Sequence, residues 1–131
     1  MKTERKDRIY HARKLTSEIV TAMVEDHATI PTKYRPLHIV QHFGMGKIWF
    51  GDAGDGSADL ALSILCDHLD ERPKPFQLDG NKTRAQKYAQ ALKMRYIAAA
   101  HQDAVKITSN EVEQLIRDVD AEREADHEND A

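Results

Sequence analysis

The stretch IWFGDAGDGSADLALSILCDHL, residues Ile48 to Leu69, decides the fold. An aromatic pair, Trp49 and Phe50, runs into a turn carrying Gly51, Gly54 and Gly56. Leu60, Ala61, Leu62, Ile64, Leu65 and Leu69 follow. Glycine reaches backbone angles closed to residues with a Cβ, so the pattern reads as a strand end, a tight turn and a helix start. The helix predicted from about Ser57 to Leu69 is apolar on nearly every side, as in an element enclosed by others. Asp55 or Gly56 is its expected N-cap, because a short acceptor side chain satisfies exposed N–H groups there. Pro73 and Pro75 forbid a continuation. This helix is the expected centre of one small domain.

Working outward toward the N-terminus, Ile9 to Lys14 begins a first strand. Ile19 to Val24, rich in β-branched residues, reads as a second. Glu25 to Arg35 reads as a loop, with Pro31 inside it and Pro36 beyond. Leu37, Ile39, Gln41 and Phe43 alternate with His38, Val40 and His42, the pattern of a two-faced strand. Gly44 and Gly46 then turn the chain, and Ile48 to Phe50 complete a hairpin. The N-terminal half is thus a small antiparallel sheet of three or four strands.

Toward the C-terminus, Glu71 to Asn81 is a loop whose Phe76 and Leu78 tuck against the core. A second helix, Thr83 to His101, buries Ala85, Ala89, Leu92, Tyr96 and Ala99 and carries Lys82, Arg84, Lys87, Lys93 and Arg95 elsewhere. The third has a capping box, Thr108 with Glu111, and a hydrophobic staple, Ile107 with Val112. Its apolar stripe is Val112, Leu115, Ile116 and Val119. Beyond Asp120 the pattern fades into an acidic tail, disordered at its end.

The chain of 131 residues is long enough for a real core. Its N-terminus is charged and unlike a secretory signal, and no apolar run nears the roughly 20 residues of a spanning helix. The single cysteine, Cys66, excludes an intrachain disulfide and fits a reducing, cytoplasmic interior as a small core residue. The net charge of −3 hides a segregation. Residues 1–50 hold nine bases and five acids, residues 51–71 six acids and no Lys or Arg, residues 72–107 eight bases and two acids, and residues 108–131 two bases and nine acids. Such blocks either pair internally or present separate faces to partners.

The central stretch resembles an uncharacterised family of small bacterial and phage proteins, a domain of unknown function. Its signature runs Phe-x-Trp-Gly-Tyr-x-Gly-Ser-Gly-Pro-Ala-x-Leu-Ala-Leu-Ala-Ile-Leu. With Ile48 in the first position and Phe50 in the tryptophan position, Gly51, Gly54, Gly56, Ala58, Leu60, Ala61, Leu62, Ile64 and Leu65 match. Asp52, Asp55 and Ser57 stand where the signature has tyrosine, serine and proline. The likeness extends over residues 8–120. It implies a phage or prophage context and a protein that binds a host component, defence systems included; the family has no assigned activity, so no functional residue carries over.

Four candidate chemistries can be weighed. The glycine turn Gly51–Ser57 offers helix N–H groups to an anion, but it matches neither phosphate-binding fingerprint and Asp52, Asp55 and Asp59 crowd it. Those three aspartates, with Asp67 and His68, suggest a hard-cation site, yet their spacing misses the calcium-loop pattern and acids at a helix start need no metal. His38 and His42, four apart on a strand, lie roughly 13 Å from each other, too far to share an ion. The basic helix, with Lys87, Lys93 and Arg95 and the interleaved Tyr88 and Tyr96, could follow a phosphate backbone or pair with the acidic third helix. No metal, cofactor or catalytic set is expected.

The resulting expectation is an α+β domain over residues 8–120, a small antiparallel sheet on a buried central helix plus two C-terminal helices, with a charged arm at 1–7 and an acidic tail at 121–131. The expected activity is non-enzymatic binding of a host protein, as a defence inhibitor for instance. The candidate contacts are Trp49, Asp52, Asp55, Asp59, Lys87, Lys93 and Arg95. Alternatives are a small-ligand or nucleotide-handling enzyme using Gly51–Ser57 and a nucleic-acid binder using helix 83–101. A homo-oligomer is compatible with the sequence; a membrane partner is not expected.

Overall fold

The computed structural model describes residues 7–44, 47–73, 83–100 and 103–129, the last segment with side chains to residue 125. Phe76, Leu78, Gly46, His101 and most of the charged arm lie outside the described residues. The element order is β1 (Arg8–Lys14), β2 (Val20–Asp26), β3 (Lys33–Pro36), α1 (Asp55–His68), α2 (Ala85–Leu92), β4 (Ala104–Thr108) and α3 (Ser109–Asn129). α2 runs on as a π-helical turn, Lys93–Ile97. The four strands form one antiparallel sheet in the order β3-β2-β1-β4. This is the expected α+β class, with the helices against one face of the sheet.

Alternation along the strands decides what each face carries. Tyr10, Ala12, Val24 and Ile107 are buried toward the helices. Their neighbours Arg13, Met23, Tyr34 and Lys106 are exposed on the other side. α1 fills the middle of the core: Leu60, Ala61, Leu62, Ile64, Leu65 and Cys66 are all buried. The two later helices close over it with Ala85, Tyr88, Ala89, Leu92, Val112 and Leu115. No described helix is long and apolar enough to cross a membrane.

Several expected boundaries move. The segment Leu37–Phe43 is not a strand, although Leu37 and Val40 are buried. Its backbone is held by α1 instead: the Val40 N–H donates to Ser63 Oγ at 2.8 Å. The N–H groups of His42, Phe43 and Gly44 donate to the Asp59 carboxylate at 3.0, 2.9 and 3.0 Å. Ile48–Phe50 is likewise extended without being a strand, so there is no hairpin here. The supposed loop Glu25–Arg35 contains the end of β2 and nearly all of β3, whose Pro36 is tolerated at a sheet edge. β4 is an additional strand that inserts Ile107 into the core before the chain turns into α3.

The helices begin and end differently from the reading too. α1 starts at Asp55 with Gly54 as N-cap and no side-chain cap. Asp52 accepts from the Gly54 N–H at 2.8 Å, bracing the turn from outside the helix. The capping box of α3 is as expected, the Thr108 N–H donating to Glu111 Oε1 at 3.0 Å and the Glu111 N–H to Thr108 Oγ1 at 3.2 Å. Beyond Asp120 the apolar pattern gives way to exposed residues at 121–125, while the backbone stays helical and carries α3 to Asn129.

Candidate functional site

Of the residues singled out as binding candidates, most have internal partners. Asp59, 1% exposed, accepts the three N–H groups that hold the 42–44 loop to α1. Asp52 holds the glycine turn and receives the Ser57 hydroxyl at 3.3 Å. Asp55 is exposed at the start of α1. Trp49 is half-buried beneath the Lys14 ammonium, which stands 4.7 Å from its ring centre and 4.9 Å from that of Phe50. Such a cation over two aromatic faces is a stabilising contact between β1 and the turn. Gly51 sits at φ +92°, which only glycine adopts without strain, and a Cβ there would lie 3.0 Å from the Ala100 carbonyl oxygen.

The basic helix is also committed. Lys93 is buried and donates to the Ala53 carbonyl at 3.0 Å, tying the π-helical turn to the glycine turn. Lys87 pairs with Asp120 at 2.9 Å and Arg95 with Asp118 at 2.9 Å. Asp120 also accepts from the Tyr88 hydroxyl at 2.9 Å. The Lys87 contact holds the Asp120 carboxyl below its ordinary range, with Tyr88 adding to the effect. Gln114 and then Arg95 do the same for Asp118. Two charge blocks that sequence alone left free to pair or to face partners are therefore cross-linked along α2 and α3.

A polar cluster that no local sequence pattern marks lies at the C-terminal end of α1. Arg8 donates to the Asp67 carbonyl at 2.9 Å and to its carboxylate at 3.2 Å. Arg35 reaches the other carboxylate oxygen at 2.7 Å, and the Tyr10 hydroxyl donates at 2.8 Å. Asp26 lies 3.4 Å from Arg8. Burial pushes the Tyr10 phenol well above its ordinary range, with the Asp67 charge adding to the effect. A cleft of about 170 Å³ opens here, lined also by His38, Cys66, Asp70 and Glu71. Glu71 uses both oxygens on the first N–H groups of α2, those of Arg84 and Ala85, at 2.8 Å each. Carboxylates and arginines compensate one another, and the negative end of α1 faces them. The cluster joins sheet to helix.

His68 is buried and bonds to Glu113 of α3. No group of three metal-ligating side chains comes together among the described residues. Cys66 is buried beside this cluster, and its thiol is pushed up to about 12, first by burial and then by Glu71 and Asp67. A thiol whose folded value is raised stabilises the fold fully below its unfolded value of about 9, and that contribution is lost as pH rises toward 12. We expect a disulfide reagent at pH 8 to label native Cys66 at least about 100-fold more slowly than the urea-unfolded chain. Equal rates would place the thiol at the surface.

Among the described residues, the sheet's other face carries the exposed side chains of Arg13, Met23, Tyr34 and Lys106. The sequence profile of a family of unknown function, DUF6166, matches residues 10–118, from β1 into α3. The chain belongs to the DUF6166 family. No curated protein and no solved structure matches it. In this DUF6166 chain the matched region contains Asp59 with the 42–44 loop it holds and Asp67 with its partners Tyr10 and Arg35, and it ends at Asp118, before the exposed last turns of α3.

The uncovered face of the sheet is built by register. Arg13, His11 and Ile9 of β1 stand opposite Thr21, Met23 and Glu25 of β2. On the far side, Met23 and Glu25 meet Pro36 and Tyr34 of β3. Tyr34 is 62% exposed and Met23 38%. Glu25 lies between two imidazoles, His11 Nε2 at 3.1 Å and His27 Nε2, and these bonds, led by His27, hold its carboxyl below the ordinary range. Ile30, fully exposed, marks the β2–β3 connection at the margin of this face.

Proposed function

We propose that this DUF6166 protein acts without catalysis, by binding a host protein through the open face of its sheet. The observation that carries the reading is the exposure of Tyr34 and Met23, diagonal neighbours on adjacent strands of that face. Aromatic residues and methionine are enriched where proteins meet. Inside the fold, the carboxylates best placed for chemistry, Asp59 and Asp67, are bonded to backbone and arginine groups. Lys87 and Arg95, the cations a nucleic acid would use on the basic helix, face α3 acids. A cytoplasmic phage or prophage accessory protein, acting on a host component such as a defence system, is the setting in which we place this activity.

The test is a pull-down from host lysate with the tagged protein and with a Met23→Ala, Tyr34→Ala double variant, each with and without nuclease. The expected result is one protein partner retained after nuclease and reduced at least 10-fold by the double variant, whose thermal midpoint stays close to that of the parent. A partner captured equally by both proteins, or lost on nuclease treatment, would overturn the reading.

A further inference from the structure

We infer that the β1/β4 strip of the open face binds an acidic, extended segment of a protein partner. The inference rests on the sheet-face reading above and names the partner's chemistry. Arg13 and Lys106 both point out of this face, and both are exposed. Arg13 stands opposite Ala104, and Lys106 stands opposite His11, so the two cations are diagonal neighbours. Diagonal neighbours lie about 7–8 Å apart, within reach of one another for side chains as long as these, so the pair forms one positive strip. Neither has a hydrogen bond or ion pair among the described residues, unlike Lys87 on α2 and Arg95 on the π-helical turn. A groove of about 630 Å³ runs along this end of β1 and β4, lined by Arg13, Ala104 and Lys106 among others, with Asp103 as the acid in its lining.

The backbone supplies the second half of the site. Because Lys14 N–H bonds to the Asp103 carbonyl at 2.9 Å, the β1-facing groups of β4 belong to Asp103, Val105 and Ile107. The N–H and C=O groups of Ala104 and Lys106 therefore point away from β1. β4 is the outermost strand on this side, and those groups make no hydrogen bond among the described residues. An open edge of this kind takes an added strand. Carboxylates on alternate residues of that strand fall on the Arg13 and Lys106 side. Nucleic acid is the poorer occupant: the face offers two unpaired fixed charges, whereas phosphate-driven binding draws on about 6–10 such contacts.

The experiment titrates ¹⁵N-labelled full-length protein at low salt with three probes. They are an eight-residue peptide alternating Glu and Val, its Lys and Val counterpart, and a 15-mer oligo-dT. The expected result is saturable shifts at residues 11–14 and 103–106 with the glutamate peptide alone. Arg13→Glu with Lys106→Glu should weaken that binding at least 10-fold, and Arg13→Gln with Lys106→Gln less so, all at an unchanged thermal midpoint. No shift with the glutamate peptide, equal shifts with either other probe, or indifference to charge reversal would overturn the inference. Its failure is separable from that of the sheet-face reading, because loss of partner capture in the Met23 and Tyr34 variant does not depend on these two charges.

Discussion

Replacing Gly56 with alanine is expected to lower the unfolding free energy by about 3 kcal/mol and the thermal midpoint by roughly 10 °C. Propensity alone argues the opposite way, since alanine is better than glycine inside a helix by about 1 kcal/mol. Contact decides the sign. A Cβ on Gly56 would lie 2.7 Å from the Lys47 carbonyl oxygen, 2.9 Å from Trp49 Cβ and 3.2 Å from the Trp49 nitrogen. None of these atoms can swing aside as a side-chain tip would, so the 47–49 backbone or the first turn of α1 has to move. Moving it also displaces Ile48 and Phe50, both buried.

Gly54→Ala is the matched comparison. There the nearest atom is Asp52 Oδ1 at 3.0 Å, on a side chain that can rotate, and the expected cost stays within about 1 kcal/mol. Chemical denaturation of both variants reads the difference directly. Equal costs at the two glycines would mean that the crossing of residues 47–49 over α1 is not a tight contact.

That crossing also explains why parts of the fold were legible in the sequence and others were not. The central helix announced itself because an all-round apolar run has few ways to be satisfied outside a core. The start of α3 was equally readable, since a capping box is made by residues three apart. Leu37–Phe43 misled because alternation reports only which side chains are buried. Its hydrogen bonds go to the Ala22 carbonyl, Ser63 and Asp59, all distant in sequence, and no local pattern carries that information. β4 was hidden for a related reason: Ile107 and Thr108 also fit a helix entry, and they serve both elements. β3 is a short edge strand with a proline in it, where propensity argues against any strand.

The candidate site was less legible still. Asp59 reads as a ligand-facing acid because it follows a glycine turn, but one helical turn into α1 it binds the loop that precedes it. Asp67 suits a metal as far as sequence goes, while its partners Arg8, Tyr10 and Arg35 carry no signal, since nothing local marks an arginine as the partner of an acid about 30 or 60 residues on. The charge blocks did announce their possible pairing, and α2 and α3 realise it. Arg13 and Lys106 stand out only once β4 is placed beside β1. The open face is a property of topology.

The second large effect is expected at Asp67, where truncation to alanine should cost about 4 kcal/mol. The carboxylate is 6% exposed and accepts from both arginines and from Tyr10. Removing it takes the carboxylate from Arg35, leaves Arg8 with only Asp26 at 3.4 Å, Asp70 at 3.9 Å and the residue-67 carbonyl, and unpairs the Tyr10 hydroxyl; the loss arises from these partners left behind, which cost more than the pair itself is favourable. Asp118→Ala provides the control. That acid pairs with Arg95 at a similar distance, but both side chains are 39% exposed, and solvent screens such surface pairs so that they contribute little. Tyr10→Phe should cost about 1 kcal/mol in the parent, one hydrogen bond, and almost nothing once Asp67 is alanine. A cycle in which the two changes simply add would mean that the Tyr10 hydroxyl is held by something other than Asp67. Equal losses at Asp67 and Asp118 would remove the cluster from its role as the joint between β1, β3 and α1. With β1 and β3 no longer fixed to the helix, the open face between them would lose its shape, so partner capture by Asp67→Ala should fall even where the variant remains folded.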